Sequence, residues 1–122
     1  EPTSLTDGYA LMKVLVNKHQ AEEFHVVVND ASSVAEAKAT FARLAAACKK
    51  FLDIEPVYLG PVRHDRAVPD SVRKQTPLLK NAPRSGAARD ILALSQALIK
   101  YREQNQGFLS ASPPLSNFPI AT

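Results

Sequence analysis

The chain has 122 residues, a single cysteine (Cys48), four glycines and no tryptophan. One thiol cannot build an intramolecular disulfide framework or a thiolate metal cluster, so a reducing, cytoplasmic setting is the simplest reading. No apolar run approaches the roughly 18 residues needed to cross a bilayer. The opening Glu1-Pro2-Thr3-Ser4 has neither a basic nor an apolar targeting segment, which leaves secretion without support. The glycines, Gly8, Gly60, Gly86 and Gly107, lie too far apart to form a backbone cradle for phosphates. His19, His25 and His64 are also too dispersed for a helical metal pair, so no metal site is expected. A nucleophile elbow of the Gly-x-Ser-x-Gly kind is missing as well.

What is present is the composition of a soluble globular domain. Hydrophobic residues make up 45% of the chain and charged residues 22%, which suffices for one packed core. The net charge of +3 permits weak attraction to nucleic acid or anionic lipid without demanding either.

Periodicity orders the chain as helices and strands. Ser4-x-x-Asp7 reads as a capping box, followed by Leu5, Tyr9, Met12 and Val16 at helical spacing, with Leu11 and Leu15 widening the stripe. Phe24 to Asn29 is a short β-branched run, expected to be a strand buried on both faces. Ser33-x-x-Glu36 opens a second helix with the stripe Val34, Ala37, Phe41, Leu44, Ala45, Cys48 and Leu52. Pro56 to Val62 reads as a second strand, and Pro69 as the start of a short helix carrying Val72. Pro77-Leu78-Leu79 is expected to be extended. Ser85 caps a last helix whose inner face is expected to be Ala88, Ile91, Leu92, Ser95, Leu98 and Ile99. Residues 107–122 are Ser/Pro-rich and lack a period, which predicts a disordered tail after a domain spanning 1–106. Strands alternating with helices point to a parallel α/β sheet. So few strands, and an opening on a helix, suggest part of a larger unit.

Five stretches, in order, carry a resemblance. They are Glu1 to Lys13, Val26-Val27-Val28-Asn29, Tyr58-Leu59-Gly60-Pro61-Val62-Arg63-His64-Asp65, Val68 with Val72 to Pro77, and Pro83 with Ser85, Ala87 and Ala88. Together, over roughly residues 1 to 104, they resemble the C-terminal half of MinD/ParA-type P-loop ATPases, most closely the flagellar-number regulators. The resemblance implies an α/β fold: the C-terminal half of a parallel-sheet, Rossmann-like P-loop NTPase of the MinD (SIMIBI) type. It implies a parent protein that binds ATP with Mg, dimerises in response, and sets flagellar number or placement through regulatory partners. It further implies a homodimer, contact with an N-terminal half, and a cytoplasmic location with peripheral attachment at the inner membrane as a variant. The phosphate loop and magnesium ligands of that family have no counterpart here, so this chain alone is not expected to hydrolyse ATP. The family's Ile-Pro-x-Asp motif is also altered, with Arg63 in the place of its proline.

The resemblance assigns base binding to Asn29, Val62, Arg63, His64 and Asp65. An amide at a strand's carboxyl end can both donate to and accept from an adenine edge. From spacing alone, the plainer reading of Asn29 is a turn residue closing the strand, and of residues 62–65 a solvated loop. Arg63, Arg66, Arg73, Lys74, Lys80, Arg84 and Arg89, offset by Asp65, Asp70 and Asp90, read first as a solvated face. The alternative is a surface for DNA, lipid or an acidic partner. Two further functions stay open: a non-catalytic interaction module built on the same half-fold, and part of a ParA-type DNA-partition ATPase.

Overall fold

The computed structural model describes residues 2–105. Element order is α1 (Pro2–His19), β1 (His25–Ala31), α2 (Val34–Leu52), β2 (Val57–Arg63), α3 (Ala67–Arg73), α4 (Leu78–Asn81) and α5 (Gly86–Gln104). Strands β1 and β2 pair in parallel, joined by α2, so the described residues form a mixed α/β unit. Helix α2 lies against the sheet with α1 packed on it, and α5 packs against β2. No described helix is long and apolar enough to cross a membrane.

Side-chain caps set the starts of the two long C-terminal helices. Ser33 accepts a hydrogen bond from the Glu36 amide at 3.0 Å, satisfying one of the donors that a helix N-terminus leaves open. Ser85 does the same for Ala88 at 3.2 Å. Helix α2 ends where Asp53 turns left-handed, with φ of 52°, and Ile54 donates back to the Cys48 carbonyl at 3.3 Å. The apolar layer between α1, α2 and β1 is built on Met12, Leu44 and Cys48, with Leu5, Tyr9, Phe24, Val26 and Leu52 packed around them. Burial raises the pKa of the Cys48 thiol, as expected for a small core residue rather than a reactive one.

Four sequence expectations need correction. Ser4 does not cap α1, because the helix is already running at Pro2, a residue suited to a first turn that needs no amide. Pro77-Leu78-Leu79 is not extended: Pro77 precedes the single turn α4, in which the Lys80 and Asn81 amides donate to the Pro77 carbonyl. Strand β1 is not covered on both faces by the described residues, and Val27 is 41% exposed, since α5 lies over β2.

The fourth concerns the inner face of α5. It is formed by Ala87, Ala88, Leu94, Ala97 and Tyr101, while Ile91, Leu92, Leu98 and Ile99 are exposed. One contact on that face is close: Gly60 has φ of 144°, and a Cβ there would stand 3.1 Å from Leu94 Cδ2, so the absence of a side chain at 60 makes room for Leu94 against the strand. At its far end α5 is held by the Tyr101 hydroxyl, which donates to Glu23, and by an edge-to-face contact between Tyr101 and His25 at 4.5 Å. The Ser/Pro-rich segment 107–122 lies outside the described residues.

Candidate functional site

The β1–β2 ladder has two irregularities, and they compensate. Val26 pairs with Tyr58 but Val27 with Gly60, leaving Leu59 as an extra residue on β2. Val28 pairs with Pro61 but Ala31 with Arg63, placing the next extra residue on β1. Asp30, with φ of 54°, takes up that second bulge, a left-handed conformation that Asp tolerates better than most residues. Bulges of this kind re-aim side chains, and this one sits at the carboxyl end of the sheet, where α/β proteins place ligands.

A pocket of about 350 Å³ opens at that end, lined by Asn29, Asp30, Val62, Arg63, His64, Asp65, Val68 and Pro69. All five residues singled out in the sequence are therefore brought together, although Asn29 and Val62 lie 33 positions apart. Asn29 lines this pocket, and among the described residues its side-chain amide has no hydrogen-bond partner. Val62 is buried at 8% exposure and supplies an apolar floor beside polar walls.

The remaining residues hold the loop in place. The His64 amide donates to the Ala31 carbonyl at 2.8 Å, and its Nδ1 lies 2.6 Å from Asp30 Oδ1. Both walls of the pocket are thereby tied to each other. Asp65 does not project a free carboxylate: Oδ1 accepts from the Ala67 amide and Oδ2 from the Ala87 amide, each at 2.9 Å. It caps α3 and α5 at once, and the amides of Ala87 and then Ala67 hold its pKa below the usual 3.8. Asp65 thus acts as a cap in this geometry.

Arg63 makes a fork to α5. Its Nε and Nη2 donate to Asp90 Oδ2 and Oδ1 at 2.9 and 2.8 Å, and its backbone amide donates to Oδ2 at 2.9 Å. These contacts, the Arg63 side chain first, hold the Asp90 carboxyl below its ordinary range. Asp30 and Asp90 were not picked out as site residues from sequence. An Asn-Asp pair, Asn29-Asp30, after a β-branched run was one available signal. An arginine at a loop exit in need of a counter-ion was another.

The lining offers a side-chain amide at Asn29 beside an apolar floor at Val62, and it contains neither a glycine nor a lysine. Among the described residues no group of three or more His, Cys, Asp or Glu stands ready for a metal ion. A second, more apolar groove of about 450 Å³ lies between α1 and α2, lined by Leu5, Thr6, Tyr9, Arg43, Leu44, Ala47 and Phe51.

No family model matches the chain. Among curated proteins it is similar to antiactivator FleN of Pseudomonas aeruginosa, at 38% identity over 96 residues. That alignment covers 79% of this chain and 34% of FleN, so the chain spans about a third of its relative's length. The chain is thus similar to FleN over most of its own length.

Proposed function

We propose that this chain forms the base-binding side of the nucleotide site in a MinD/ParA-type ATPase that acts, like FleN, as an antiactivator and regulates flagellar number or placement. ATP with Mg is the cofactor of the whole protein in this reading, and when bound it would supply the charge to which a homodimer responds. The residues of this chain have a narrower task. Asn29 pairs with the edge of the base, Val62 underlies it, and main-chain groups of residues 62–65 complete the wall. The observation that carries the reading is the convergence of those residues on one pocket at the carboxyl end of a parallel sheet. The FleN relation supports the regulatory half of it.

The test is titration of a fluorescent ATP analogue into the natural protein at its full length. Asn29→Ala should weaken binding about tenfold or more, the cost of leaving polar groups on a bound base unpaired. Unchanged affinity in a folded Asn29→Ala protein would remove this pocket from nucleotide binding.

A second reading is an interaction module without catalysis, favoured by the exposed apolar residues Ile91, Leu92, Leu98 and Ile99 on α5 and Phe51 on α2. It predicts partner binding that is indifferent to nucleotide. DNA partition, the third reading, has less support in the basic middle of the chain: Arg63 is engaged by Asp90, and Arg73 and Lys74 by Asp70. It predicts DNA binding that falls steeply with salt.

A further inference from the structure

We propose that Asp90, acting through Arg63, is a positioning residue for the pocket at the carboxyl end of the sheet and thereby sets which base the pocket prefers. This rests on the nucleotide reading above. The Arg63 amide is not needed by the β ladder, because the Ala31 carbonyl is already taken by the His64 amide. That spare donor goes to Asp90, which also accepts both arms of the guanidinium, so one carboxylate fixes the main chain and the side chain of the same residue. Two residues later Asp65 is fixed to the Ala87 amide on the same helix. His64, between them, is tied to β1.

Three consecutive residues of the wall are therefore held, two by α5 and one by the opposite strand. Asp90 is largely buried at 14% side-chain exposure, which favours a defined geometry over a loose surface pair. A wall held in one place tells adenine from guanine by fit, since the two bases present opposite donor and acceptor patterns at position 6. A small slide of that wall blurs the distinction without emptying the pocket. A proline at position 63 would fix the local φ by its ring, at the loss of the amide and guanidinium bonds that Asp90 now accepts.

The experiment measures dissociation constants for fluorescent ATP and GTP analogues on the natural full-length protein, with circular dichroism and Tm as folding controls. Asp90→Asn and Arg63→Lys should each lower the ATP-over-GTP preference about tenfold, the equivalent of about one lost hydrogen bond. The double variant Arg63→Pro with Asp90→Ala should restore it to within about twofold. A purely structural role would lower Tm and weaken both nucleotides alike, leaving their ratio unmoved. An unchanged ratio in folded Asp90→Asn and Arg63→Lys proteins overturns the proposal while leaving nucleotide binding intact. Should Asp90→Asn fail to fold, Arg63→Lys carries the test alone. If the unmodified protein binds neither nucleotide, the nucleotide reading fails and this inference fails with it.

Discussion

The two sides of the sheet are held together by different physics. At the carboxyl end of the strands, residues 62–65 are fixed by directional bonds: Arg63 to Asp90, His64 to Asp30 and Ala31, and Asp65 to two helix starts. On the α1–α2 side the contacts are apolar, centred on Met12, Leu44 and Cys48, with a Cys48 Sγ to Met12 Sδ contact of 3.8 Å. The first region depends on the identity of its partners, because a charge-assisted bond lost leaves a polar group behind. The second depends on volume, because packing is non-directional and tolerates exchange among apolar residues of similar size. Positioning belongs to the first region and stability to the second.

That contrast can be broken most sharply in the apolar layer. Leu44→Ala should cost about 2–5 kcal/mol in denaturant unfolding, since it removes buried apolar groups that pack with Met12 and Cys48. The conservative Leu44→Met should cost under about 1.5 kcal/mol. Gly60→Ala should come next, at about 1–3 kcal/mol by Tm or denaturant midpoint. Its new Cβ meets Leu94 at 3.1 Å on a backbone with φ of 144°. Ser33→Ala should cost about 1 kcal/mol through the lost cap on α2, with the effect confined to unfolding and absent from ligand affinity.

Acidification sharpens the comparison from the polar side. Asp65, Asp70 and Asp90 all have native pKa values below the ordinary 3.8, so the unfolded chain takes up protons first as pH falls. Their stabilisation is complete above about pH 4 and is lost as pH drops through the depressed native values. Asp90→Asn should therefore flatten the loss of Tm below pH 4, whereas Leu44→Ala should lower Tm by a similar amount at every pH.

Much of the helical framework was legible in the sequence because caps and periodicity are local. Ser33 and Ser85 act where the pattern placed them, and of the second helix's stripe Ala37, Leu44 and Cys48 are buried, while Val34 at its start is exposed. Helix α4 was misread because Pro77 suits an extended residue and a helix start equally well, and nothing in Leu78-Leu79 decides between them. The face of α5 was misread for a stronger reason. Apolar periodicity marks Ile91, Leu92, Leu98 and Ile99, but the face that packs carries Leu94, which a distant residue, Gly60, admits at close range. The five pocket residues were picked out through the resemblance rather than through spacing. Their partners Asp30 and Asp90 emerged only once two strands and a helix had been brought together, because a long-range ion pair leaves no periodic trace.

The most direct test of the account is hydrogen–deuterium exchange on the full-length natural protein, with and without saturating ATP. The pocket reading predicts slowed exchange in peptides covering residues 28–31 and 62–66, with little change across α1 and the α1–α2 groove. ATP binding that leaves both of those segments unprotected would contradict it.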